Sequence, residues 1–259
     1  MEGKQVRYRV EGGKAILTID REPSRNALSL QVLEQLAEGI DAAEADGSVR
    51  VIVLTGAGDK VFCAGADLAG MGGDGFLAAH EGRRAYAGLI RRLQECSRPS
   101  IARVNGHALG GGLGLALACD LAIAAEAAQL GTPEIDVGLF PMMVMALLHR
   151  HLGRKRALEL VMTGERLSAH EALALGLLNR VAPPNELDSA VEQMAGKIAG
   201  KSQATLRLGR RAFFASEDMP FGAALEYLAA QLSVNASIDD AAEGVSAFFE
   251  KRKPHWKDR

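Results

Sequence analysis

Aromatic residues are scarce in this chain of 259 residues, at 5%, so most of its packing must be done by alanine, leucine and valine. Cysteines number only three, Cys63, Cys96 and Cys119. An odd count at wide spacing excludes a disulfide framework, and the absence of a CxxC pair removes the usual zinc signature. No apolar run is long enough to cross a bilayer. The segment Met1 to Val10 is charged throughout and has no signal-peptide core, so a cytoplasmic location is expected. Charge of one sign is missing too: 30 basic residues face 32 acidic ones. That balance offers a nucleic acid no electrostatic footprint, although a local cluster of Lys and Arg would still suit a small anion. Nucleic-acid and membrane partners are therefore not expected, and neither is a bound metal.

Three glycine-loop chemistries are missing as well. No GxxxxGK[ST] marks a P-loop, no GxGxxG follows an early strand, and no GxSxG presents a serine nucleophile.

What is present is a chain with 48% hydrophobic and 24% charged residues, enough for a sizeable core and too apolar for disorder. Val6–Val10 and Lys14–Asp20 read as strands around Gly12-Gly13. Ser29 reads as the N-cap of a helix to Ala45 with Val32, Leu33, Leu36 and Ile40 on one face. Val51–Leu54, Ile101–Val104 and Leu121–Ala124 read as short buried strands, with helices at Phe76–Glu95 and from Gly111 to Cys119 between them. Helices are expected over Leu139–Leu152, Arg154–Met162 and Ala169–Leu175. Beyond Pro183-Pro184 only helices follow: Glu186–Gly200, Gln203–Ala215, Pro220–Ser233 and Ala241–Lys251. The alternation implies an α/β core over 1–200 and a helical C-terminal module over 201–259.

Two small-residue loops carry the chemistry. Phe62-Cys63-Ala64-Gly65-Ala66-Asp67-Leu68 follows a buried strand and a turn, where small side chains let a ligand reach the backbone N–H groups. Asn105-Gly106-His107-Ala108-Leu109-Gly110-Gly111-Gly112-Leu113-Gly114 joins a strand to a helix start, where N–H groups and the helix dipole are exposed. Facing each other, the loops would supply two donors to a developing oxyanion. The triple glycine is also explained by tight helix–strand packing. Cys63 reads as a small buried residue rather than a nucleophile.

The run NGHALGGG, with LALACDLAIAAEAAQLGTPEIDVGL downstream, resembles the signature of the enoyl-CoA hydratase/isomerase (crotonase) family. RNALS, VIVLTGAGDKVFCAGADL and SAFFEKRKPHWKD are similar in order and spacing, so the resemblance spans Gly13 to the C-terminus. It implies a crotonase-like α/β spiral of ββα units, with a C-terminal helical module that builds a homotrimer or a hexamer, a dimer of trimers. It implies an enzyme that adds water to an enoyl-CoA, or shifts its double bond, through a thioester enolate. No cofactor is implied beyond the coenzyme A of the substrate. The N–H groups of Ala66 and Gly111 would form the oxyanion hole. Arg25, Ala64, Asp67 and Leu68 would lie along the coenzyme A channel. Phe248 and Lys251 would close it from the terminal module, across a subunit boundary or within one chain. Lys251 also reads as a solvated charge in a basic tail.

One departure bears on the activity. Family hydratases carry two glutamates that hold one water; here the first position is Gly114 and the second matches Glu134. One carboxylate can shuttle a proton but holds water less well than two. Glu134 is thus the catalytic candidate, with a capping role after Pro133 as the alternative. A 3,2-enoyl-CoA isomerase and a non-catalytic acyl-CoA-binding subunit are the competing functions. Asp136 is expected on the same side as Glu134 if the segment is extended, as an assisting or surface group. Phe140-Pro141-Met142-Met143-Val144-Met145 replaces a glycine-rich stretch and would line the acyl pocket or fill core. His149 and His151 read as surface or interface residues.

Overall fold

A computed structural model describes residues 3–67 and 75–259, and the side chain of residue 78 is also outside the description. Leu68 lies outside the described residues.

The chain opens with a hairpin of β1 (Val6–Glu11) and β2 (Lys14–Ile19), turned at Gly12 and Gly13, both at positive φ. Helix α1 (Leu30–Ala45) starts where the Ser29 side chain accepts the Val32 N–H, and it buries Val32, Leu33, Leu36 and Ile40. Then come β3 (Val51–Gly56), β4 (Val61–Cys63), α2 (Gly75–Glu95), β5 (Ser100–Val104), β6 (His107–Leu109) and α3 (Gly111–Ala118). They are followed by β7 (Leu121–Ala125), β8 (Gln129–Gly131), α4 (Met142–His151), α5 (Arg154–Thr163), β9 (Arg166–Ser168) and α6 (Ala169–Ala174). Last are β10 (Arg180–Ala182), α7 (Leu187–Ala199), α8 (Gln203–Ser216), α9 (Phe221–Ala236) and α10 (Asp239–Phe249).

Two sheets form. One has the order β1-β2-β3-β5-β7-β10 and is parallel apart from the β1–β2 hairpin; the other, β4-β6-β8-β9, is parallel apart from β8–β9. Strand β3 is buried along its whole length because both faces are covered. Ile52 and Leu54 enter the main core with Leu17 and Leu36, whereas Val51 and Val53 pack with Ile101, Ile123 and Val191 towards α7. A fully buried Leu or Ile contributes about 1.5–3 kcal/mol. Helix α3 is apolar all round and buried from Gly112 to Ala118, so it forms a central strut rather than a surface helix.

The helix expected over Leu139–Leu152 begins only at Met142, because Pro141 stands at its N-cap and fits a helix start rather than its interior. The helix expected at Ala241–Lys251 is α10, which starts at Asp239 and ends at Phe249; Lys251 is left-handed, with φ 55.

The tail folds back onto α10. Buried Asp240 accepts the N–H groups of Lys257 and Asp258 and the Ser202 hydroxyl, and Arg50 ties Asp258 to the start of β3. Helix α9 has no buried residue, and it exposes Phe221, Leu225 and Leu232. No helix among the described residues is long and apolar enough to cross a membrane.

Candidate active site

The segment after β4 is held by an isolated parallel bridge. The Leu28 N–H donates to the Gly65 carbonyl at 2.8 Å, and the Asp67 N–H donates to the Leu28 carbonyl at 3.1 Å. Alternation then turns the Ala66 N–H away from Leu28. Buried Asn26, two residues before Leu28, holds the turn between β3 and β4, donating to the carbonyls of Ala57 and Val61.

Helix α3 begins beside this segment. Its first intrahelical bond runs from the Gly114 N–H to the Gly110 carbonyl, so the Gly111 N–H is one of the orphan donors of the first turn. The loops touch: a Cβ on Gly65 would stand 3.2 Å from the Gly111 nitrogen. Gly112 abuts the Cys63 carbonyl so closely that any Cβ would overlap it.

Glu134 does not sit on an extended segment. Pro133–Val137 is a 3-10 helix with Pro133 in its first turn, and it ends at Gly138 with φ 77. The segment is not extended, so strand alternation does not relate Glu134 to Asp136, although both border the same cavity. Asp136 is exposed at the rim of the cavity, whereas Glu134 is half-buried within it. The Glu134 carboxylate lies over Gly110, where a Cβ would come 2.5 Å from its Oε1. Gly110 has φ 53 and ψ -125, a conformation open in practice to glycine. Oε2 of Glu134 is buried and has no hydrogen-bond partner among the described residues. Burial raises the carboxyl above the usual glutamate value, and only its own backbone N–H opposes that shift.

Ala64, Ala66, Gly111, Tyr86 and Glu134 border one cavity of about 490 Å³. Leu139, Met142, Met143 and Val144 form its apolar wall, and Met145 packs against the main core instead, so the methionine run serves both ends. Arg83 and Arg166 reach the cavity as well. The other expected positions lie around or beyond it. Exposed Arg25 accepts the Ala64 N–H on its carbonyl, so its backbone adjoins the loop. Asp67 pairs with Arg21 at 2.8 Å. Phe248, which is 78% exposed, and Lys251 stand on the terminal module and do not line the cavity within one chain. Cys63 is buried and its thiol is pushed up to about 12, which fits a packed residue rather than a nucleophile. His151 bonds the Leu147 carbonyl within α4, and Arg150 pairs with Glu217 and Asp218. Among the described residues no cluster of His, Cys, Asp and Glu could hold a metal ion.

Tyr86 has no counterpart in the sequence reading. A lone tyrosine on an amphipathic helix looks like core, and nothing in its spacing separates it from Leu89 and Leu93 one and two turns on.

Ala66, Gly111 and the half-buried carboxylate of Glu134 thus border the same cavity, and a carboxylate so placed can move a proton within it. The family model described as enoyl-CoA hydratase/isomerase matches residues 9–259. A putative enoyl-CoA hydratase of Thermus thermophilus is 38% identical over 249 residues, covering 95% of this chain and 98% of that protein. The short-chain-enoyl-CoA hydratase of Clostridium acetobutylicum is 35% identical over 257 residues, 98% of this chain and 97% of that protein. The solved enoyl-CoA hydratase of Bacillus anthracis superposes with a TM-score of 0.94 at 33% identity, covering 98% of this chain and 100% of that one. The chain belongs to the enoyl-CoA hydratase/isomerase family. It is an enzyme of the hydratase/isomerase type with the crotonase fold.

Proposed function

We propose that this enzyme adds water across the double bond of 2-enoyl thioesters of coenzyme A. The observation that carries the reading is the unpartnered Oε2 of Glu134, over Gly110 in the same cavity as Ala66 and Gly111. Glu134 takes a proton from water as the water oxygen bonds to C3. The electron pair of the double bond moves to the thioester oxygen, where the N–H groups of Ala66 and Gly111 stabilise it. The protonated Glu134 then returns the proton to C2, and the sum is one water added. Removing one such donor commonly costs about 10²–10³-fold in rate. The names of the Thermus and Clostridium relatives favour hydration over a double-bond shift. No cofactor enters beyond the coenzyme A of the substrate.

In the same reading Arg25, Ala64 and Asp67 border the path of the coenzyme, while Phe248 and Lys251 serve a neighbouring subunit. The exposed apolar face of α9 suits burial between subunits, and the family resemblance implies a homotrimer or a hexamer of two trimers, which sedimentation of the purified protein would establish or refute. The three free, buried cysteines suit a reducing compartment such as the cytoplasm.

Turnover on short and medium 2-enoyl- and 3-enoyl-CoAs, followed by mass spectrometry, tests the activity. A gain of one water from the 2-enoyl thioesters is expected. Conjugation of the 3-enoyl thioesters at unchanged mass, without hydration, would make the enzyme an isomerase. Thioester binding with no turnover on either set would sink both readings.

A further inference from the structure

Tyr86 lies on the inner side of α2, only 5% exposed, and its hydroxyl donates to the Gly111 carbonyl at 2.7 Å. Its ring edge packs on the start of α3, where a Cβ on Gly111 would stand 3.6 Å from Cε2 and Cζ. A Cβ on Gly114 would overlap the same hydroxyl. The phenol therefore fills the space into which a side chain at 114 would project. Burial first, and then the charges of Cys63 and Glu134, hold the phenol well above its ordinary value, so it stays neutral. With its one proton committed to Gly111, the oxygen has only acceptor capacity left.

We propose that Tyr86 is the second holder of the water that Glu134 activates, its hydroxyl oxygen accepting the O–H that Glu134 does not take. A water bound through both hydrogens presents a lone pair to C3 instead of tumbling, which is the task a single carboxylate does poorly. Tyr86 borders the same cavity as Glu134 and Ala66, and its hydroxyl is anchored on the residue that supplies an oxyanion donor. The inference rests on the hydration reading.

The test compares wild type, Tyr86→Phe and Glu134→Gln as assembled full-length enzymes in two assays. One is hydration of 2-butenoyl-CoA; the other is exchange of the C2 protons of butanoyl-CoA in D2O, read by mass spectrometry. Exchange needs the base and the oxyanion donors but adds no water to carbon. Tyr86→Phe keeps the ring and should lower kcat for hydration by about 10–100-fold, the worth of one or two hydrogen bonds, with exchange unchanged within about twofold. Glu134→Gln should lose both. Unchanged hydration in Tyr86→Phe would overturn the inference. An equal fall in hydration and exchange would overturn it too, leaving Tyr86 as a support for Gly111. A wild type that exchanges protons but never hydrates would instead remove the hydration reading, and this inference with it.

Discussion

Glu134→Gln is expected to lower turnover by about 10³-fold or more while thioester binding persists and the protein melts no lower at neutral pH. The rate loss follows from its place as the ionisable group over Gly110 in the cavity, since a positioned acid–base group supplies about 10²–10⁴-fold. The stability effect has the opposite sign. The folded-state pKa is raised, so the favourable contribution of the protonated form is present below the unfolded value and is lost as pH rises through the folded one. Above the folded value the fold carries a carboxylate that burial disfavours, and a neutral amide relieves that cost. Melting curves of both proteins should separate at neutral pH, with the variant higher, and converge in acid. Hydration by the wild type should fall on the acid side at a pH above that of an ordinary glutamate, because the base must be ionised. A variant that melts lower at neutral pH would mean that Glu134 is a structural partner after all.

Gly110→Ala is expected to cost about 10²-fold in kcat/KM, with a Tm drop of a few degrees. Two effects add at this position. The backbone conformation is one that L side chains rarely adopt, a strain of about 1–3 kcal/mol. The new methyl would also stand 2.5 Å from Oε1 and 2.9 Å from the carboxyl carbon of Glu134, so the carboxylate must move. Displacement of a catalytic group by about 1 Å can cost 10²-fold. Gly88→Ala is the control: it lies on α2 with open space around its Cα and should leave activity unchanged. If Gly110→Ala turns over like wild type, the carboxylate works from some other position than the one over Gly110.

Most of the fold was legible because its longer elements carry periodic signals. Ser29 and the Val32, Leu33, Leu36 and Ile40 stripe announce α1, and the apolar run from Val51 announces a strand covered on both faces. The strands Val61–Cys63, His107–Leu109, Gln129–Gly131 and Arg166–Ser168 were not legible. Three residues show no alternation, and their identity as strands comes from partners distant in sequence. The second sheet, which carries both glycine loops, was therefore hidden while the loops themselves stood out. The turn at Pro133–Val137 could have been read from Pro133 at its start and Gly138 at its end. Tyr86 could not, because its role depends on where α2 docks and on a glycine 28 residues later.

The contact between Tyr86 and Gly114 also constrains how this site can change over generations. As long as the phenol stands where it does, a Cβ at 114 would fall 2.0 Å from its oxygen, so a second carboxylate there requires Tyr86 to move. Once position 86 becomes phenylalanine, the nearest ring atom to a Cβ at 114 is Cζ, at 3.3 Å, and Val144 approaches to 3.1 Å, distances that small adjustments can absorb. Replacing position 86 before position 114 is therefore the route with the smaller steric conflict, and an intermediate on that route has lost the tyrosine before it gains the acid.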